Sequence, residues 1–147
     1  MDADRIRKLA QALDESIERR DISALADFFS DDCELDIAGQ SLKGKEDLKR
    51  AFTWIFSHLP EIRLTPMTIL IEGSTFFEEF LVRTKNTKGR NLDVKQAEVL
   101  VYDENYKVKS LRLYFDRLEL GDVFASNFLE KAMVRLLAKA SLRGLAG

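Results

Sequence analysis

The sequence predicts an α+β fold with helices packed on one face of a curled sheet, and three observations carry that prediction. Apolar residues recur at helical spacing over residues 4–19, 45–59 and 122–143, alternate at strand spacing over much of 62–116, and are broken by turn residues between these stretches. The resulting order is helix, helix, strand, helix, antiparallel meander, helix.

Each element follows from local chemistry. Ile6, Leu9, Leu13 and Ile17 form one stripe on the first helix, with Asp2 or Asp4 placed to cap it. Asp21 caps a short second helix carrying Leu25, Phe28 and Phe29, which Ser30-Asp31-Asp32 breaks. Cys33 to Ile37 alternate apolar and acidic, as a half-buried strand does. Gly39 and Gly44 bracket a short connection to a third helix over 45–59. Glu46 and Asp47 sit in its first turn, where the helix dipole favours acids, and Pro60 ends it. Its expected buried stripe is Leu48, Phe52, Ile55 and Leu59. Pro66 is expected to interrupt the first strand of the meander. Gly73 and Thr87-Lys88-Gly89-Arg90 mark turns, and Asp103-Glu-Asn105 closes a hairpin between Gln96–Tyr102 and Lys107–Phe115. Phe124, Phe128, Ala132, Leu136 and Ala140 recur every four residues on the last helix. Residues 1–120 are expected to form one domain, with 121–147 a C-terminal helix packed on that domain or on a partner subunit.

Composition narrows the function. The 23 Lys+Arg against 25 Asp+Glu leave no basic excess to hold a polyphosphate, so nucleic acid is not an expected partner. The single cysteine, Cys33, excludes an intrachain disulfide and a cysteine cage, and the single histidine, His58, excludes a multi-histidine metal centre. No apolar stretch approaches the ~20 residues of a membrane span, and acids stand where a secretory leader would be basic. A reduced, cytoplasmic setting follows as an expectation. The last helix carries Lys131, Arg135, Lys139 and Arg143 against Asp122 and Glu130; packing of its apolar stripe is expected over membrane attachment.

The passage Asp21-Ile-Ser-Ala-Leu-Ala-Asp-Phe-Phe-Ser-Asp-Asp32, Gly44 before the third helix, and the hairpin from Tyr102 to Asp116 together resemble the superfamily of nuclear transport factor 2, ketosteroid isomerase and SnoaL-like polyketide cyclases. The resemblance covers roughly residues 5–118 and implies a cone: a curved sheet wrapped around helices, open at its wide end, with an extra C-terminal helix added. It also implies a small, mostly apolar ligand bound without cofactor or metal, in a homodimer, with Ile37, Trp54, His58, Leu100, Tyr102, Leu113 and Phe115 around the pocket. Because members include isomerases, cyclases, hydrolases and non-catalytic binders, the resemblance alone fixes no reaction.

Residue by residue, the resemblance puts Ile37 where the isomerases carry their base and Leu13 where they carry a tyrosine. Isoleucine cannot abstract a proton, so steroid-type isomerisation is not expected. Glu98 falls at the position of the isomerases' protonated aspartate. Gln96, Glu98, Leu100 and Tyr102 share one strand face, and Ala97, Val99 and Val101 the other. If the first face lines the pocket, desolvation makes Glu98 a general acid or a hydrogen-bond donor; if the second is buried, Glu98 is a solvated carboxylate. Arg112-Leu-Tyr-Phe-Asp116 is similar to the strand end of limonene-epoxide-hydrolase-like members, which implies proton transfer by Asp116. The Arg-x-Asp pair such hydrolases also need is missing from Phe77–Arg83. Regular alternation with Leu111, Leu113 and Phe115 inward would instead point Asp116 outward, beside Arg112 or Arg117. His58 is placed to cap the third helix, Cys33 to fill core, and one of Glu78 and Glu79 must face inward.

Overall fold

A computed structural model describes residues 1–85, 89–121 and 128–143. Along the chain run α1 (Ala3–Glu18), α2 (Ile22–Asp27), β1 (Phe29–Ile37), β2 (Gln40–Lys43), α3 (Gly44–His58), β3 (Ile62–Glu72), β4 (Thr75–Lys85), β5 (Asn91–Tyr102), β6 (Val108–Phe115) and α4 (Phe128–Ser141). The chain divides into two compact units, Met1–Phe115 and Asp116–Gly147, a few residues earlier than the boundary expected after residue 120.

In the first unit the six strands form one curved, open sheet in the order β2-β1-β6-β5-β4-β3. Only the β1–β6 pair is parallel, so the sheet is mixed. Helix α3 packs on β1 and β2, and α1 packs on β3 and β4. Pairing registers make rows across the inner face. One is wholly apolar: Leu35, Leu111, Leu100, Phe76, Ile71. The adjacent row reads Ile37, Leu113, Glu98, Glu78, Ile69.

The caps fall where the side chains dictate. The Asp2 carboxylate accepts from the amides of Asp4 and Arg5 at 2.9 and 3.2 Å, and that of Asp21 from Ala24 at 3.0 Å. Arg20, at φ 59°, donates to the carbonyls of Phe56, Leu59 and Pro60, satisfying acceptors at the end of α3. Glu18 ties α1 to β3: its carboxylate accepts from Leu64 N at 2.7 Å and from Arg63 at 3.1 Å.

Several expectations need correction. Strand β1 starts at Phe29, before the acidic run rather than after it, because its first residues reach β6 through a register shift. The piece between Gly39 and Gly44 is a strand, β2, paired back on β1. Phe56 rather than Ile55 is buried on α3, four residues after Phe52 as Phe52 is after Leu48, which tips the buried face slightly from the one the mean period gives. On α1 the buried residues are Ile6, Ala10, Leu13 and Ser16, with Leu9 and Ile17 only half covered. Pro66 interrupts the β3–β4 ladder as expected, through a bulge between Pro66 and Thr68 that the edge strand β3 absorbs without ending. Of the turn at 87–90, Thr87 and Lys88 lie outside the described residues, as do Asp122 and Phe124 of the expected last helix. No residue of α4 is buried: Phe128 and Leu136 are exposed, and the half-covered side carries Lys131, Val134 and Ala138. No helix among the described residues is long and apolar enough to cross a membrane.

Gly44 opens α3 at φ 80°, and an added Cβ would meet the Asp31 carbonyl oxygen at 3.2 Å. Gly44→Ala should therefore cost about 1–3 kcal/mol, read as a lower denaturant midpoint at unchanged slope.

Candidate functional site

Three acids from three elements converge. Glu78 on β4 and Glu98 on β5 are direct cross-strand partners facing the interior, 2% and 6% exposed. Asp14 comes from α1, in line with Ile6 and Ala10 at four-residue spacing on the helix face turned to the sheet. One carboxylate oxygen from each lies within 4.8 Å of those of the other two.

This arrangement raises the proton affinity of all three carboxyls, so that Asp14 and Glu98 keep their protons at neutral pH and Glu78 titrates there. Burial raises Asp14 from the ordinary 3.8 to about 8, with the neighbouring charges of Glu78 and Glu18 adding to it. Burial likewise lifts Glu78 from 4.5 to about 7, opposed by a hydrogen bond from Asp14. That bond raises one partner and lowers the other, so Asp14 holds the shared proton and Glu78 accepts it. Burial, then the charges of Asp14 and Glu78, push Glu98 well above the usual carboxylate range. Tyr102 lies on the same face of β5, 2% exposed, and its hydroxyl has no hydrogen-bond partner. Burial and then the fields of Glu98, Asp14 and Glu78 hold that phenol protonated. The ion pairs of the described residues leave the three acids without a basic partner.

A cleft of about 320 Å³ opens onto the cluster between α1 and the β3–β4 hairpin. Asp14 and Glu78 line it beside Leu64, Pro66, Ile69 and Phe76, with Arg7, Gln11, Glu15 and Glu18 at the same opening.

The structure thus turns the Glu98 face of β5 inward, with Leu100 and Tyr102. Leu113 is the neighbour of both Glu98 and Ile37, and Phe115 pairs with Gln96; both are half-buried. Ile37 and Leu13 are buried and apolar. Trp54 is 49% exposed and stacks on His58 at 4.8 Å between ring centroids. His58 Nδ1 lies 2.9 Å from the Trp54 carbonyl and 3.0 Å from the Ser57 hydroxyl, closing the end of α3; neither ring lines the cleft with Asp14. Asp116 is exposed, its carboxylate accepting from Leu118 N at 2.8 Å in a turn, so the alternation that points it outward is the correct reading. Glu79 lies on the opposite face from Glu78 and accepts from the Thr68 hydroxyl. Asp14 was not anticipated, although an acid in register with Ile6 and Ala10 was a visible signal.

Residues 9–110 match the SnoaL-like domain family, and the chain belongs to it. Among solved structures it is similar to AclR, a putative hydroxylase from Streptomyces galilaeus, at TM-score 0.73 and 13% identity over 86% of this chain and 100% of that one. It is similar to SalBIII, an epoxide hydrolase/cyclase-like enzyme of pyran ring formation in the polyether salinomycin, at TM-score 0.72 and 11% identity, covering 80% and 95%. A protein of ketosteroid isomerase-like fold from Catenulispora acidiphila, crystallised with trimethylamine, gives TM-score 0.72 and 12% identity, covering 81% and 97%. These likenesses establish the cone fold. No curated protein matches the chain in sequence.

The cluster has a signed consequence for stability. The folded state binds protons that the unfolded chain releases near pH 4, so this contribution is full below that pH and is lost as pH rises toward about 8. Asp14→Asn should gain melting temperature over wild type across pH 4–8, by ~4 °C for each kcal/mol of relief. Parallel melting curves against pH would contradict the shifted carboxyls.

Proposed function

We propose that this chain binds a small, mostly apolar molecule in the cone and acts on it by acid–base chemistry of the cyclase, dehydratase or hydrolase kind. The supporting observation is the inward cluster of Asp14, Glu78 and Glu98, whose members divide into proton holders and a proton acceptor. In this reading Glu98, buried beside apolar Leu113 and Leu100, protonates or orients the substrate oxygen. Glu78, titrating near neutrality, takes up the proton released elsewhere on the substrate, and Asp14 supplies the hydrogen bond that holds Glu78 in place. The Tyr102 hydroxyl is a second donor. Asp116 has no part in this scheme, because it is an exposed turn acid. The reaction needs no metal or cofactor, and a homodimer in the cytoplasm belongs to the same proposal. Leu70 and Tyr114, each more than half exposed on the outer sheet face, support a subunit contact there.

A second reading, a non-catalytic ligand-binding or dimerisation module, is favoured by one observation. Leu13 and Ile37 are buried and apolar where the resemblance to isomerases would need polar groups.

A thermal-shift screen with small ketones, phenols, epoxides and polyketide-like rings separates a working pocket from a vestigial one. A ligand at 100 times its dissociation constant adds about 2.7 kcal/mol, or roughly 5–11 °C in melting temperature. On a substrate found this way, Glu98→Gln should cut kcat by ~100-fold or more while the protein melts normally. Undiminished turnover would remove Glu98 from the catalytic machinery.

A further inference from the structure

The ligand class of this cleft is encoded in its charge balance. Asp14, Glu15, Glu18 and Glu78 line it against one cation, Arg7. Glu18 is already engaged by Arg63 and Leu64 N, while Asp14, Glu78 and Glu98 form no ion pair among the described residues. Tyr102 adds a hydroxyl that is buried, unpartnered and within the field of all three acids. Ionising these buried acids is costly unless a cation sits among them, so a cation arriving from solvent can take the place of their protons.

Geometry selects among cations. Oxygens no more than 4.8 Å apart place their common centre at about 2.8 Å or less from each, which suits N⁺–H···O⁻ bonds of about 2.7–2.9 Å. An ammonium group offers three donors for the three acceptors. Magnesium or calcium takes six or more oxygens and would have to complete its shell with water on one oxygen from each of the three acids, whereas an ammonium is satisfied by those three. Along the same cleft, Leu64, Pro66, Ile69 and Phe76 offer an apolar wall.

We infer that the cleft between α1 and the β3–β4 hairpin binds a small primary amine as its ammonium ion, nitrogen among Asp14, Glu78 and Glu98, apolar body against Leu64, Pro66, Ile69 and Phe76. This rests on the reading of that cluster as the working site and narrows its substrate class. The ammonium takes the place of protons on the carboxyls, and these pass to buffer.

The test is calorimetric titration of the full-length chain at pH 8 with cyclohexylmethylamine, its N-trimethyl derivative, the neutral cyclohexylmethanol, and manganese(II). The primary amine should bind at least ~10-fold tighter than the alcohol and the quaternary derivative. Glu78→Gln should remove most of that preference. Equal binding of amine and alcohol overturns the ammonium inference and leaves the acid–base site standing. Equal binding of primary and quaternary amines overturns the three-donor geometry. Binding of manganese but not the amine replaces the inference with a metal site. No binding by any probe overturns both it and the ligand-binding reading.

Discussion

Two carboxyl groups directly opposite each other on neighbouring strands, both removed from water, cannot both be ionised without a cation between them. The fold sets Glu78 and Glu98 in that relation in a row otherwise made of Ile37, Leu113 and Ile69, and then lowers Asp14 onto them from a helix. Everything distinctive about this molecule's chemistry depends on that constraint. Protons must stay where ordinary carboxylates would have released them, and the site is poised to exchange them near neutral pH. Such an arrangement costs stability, and it is this cost that marks the cluster as a candidate functional site.

The scaffold holds the cluster by contacts away from it. Asp2 caps the start of α1, Arg20 anchors its end to the carbonyls of α3, and Glu18 fastens it to β3 one turn beyond Asp14. Loosening Glu18 would let α1 slide on the edge strand and separate Asp14 from Glu78, so Glu18 is a positioning residue. The cleft lies along this same seam between α1 and β3, where Asp14 and Glu78 line it.

Much of the fold was legible because alternation and helical period report burial directly. The α+β order, the caps at Asp2 and Asp21 and the hairpin at Asp103 follow from such patterns and from turn and cap chemistry. The cone and the family enter through the resemblance carried by Asp21–Asp32, Gly44 and Tyr102–Asp116. The site was legible in part. Glu98 stood out as an acid on an otherwise apolar face, but periodicity alone could not say which face of β5 turns inward, since Val99 and Val101 alternate equally well. Likewise one of Glu78 and Glu79 had to point inward, and only pairing with β5 and β3 decides for Glu78. Asp14 escaped notice because a charge on an amphipathic helix is ordinarily solvated; its meeting with Glu78 joins residues 64 positions apart. Leu100, Tyr102, Leu113 and Ile37 lie on the inner face, whereas Trp54 and His58 finish a helix and Asp116 closes a turn.

The central claim is that carboxyl groups of this cluster keep their protons at neutral pH. Carbon-13 NMR titration of the side-chain carboxyls, assigned with Asp14→Asn, Glu78→Gln and Glu98→Gln, reads it directly. Midpoints near pH 8 for Asp14 and near pH 7 for Glu78, with Glu98 still protonated where exposed glutamates have ionised, are the result expected. Three midpoints in the ordinary range around pH 4 would contradict the account, because the acids would then be solvated surface charges.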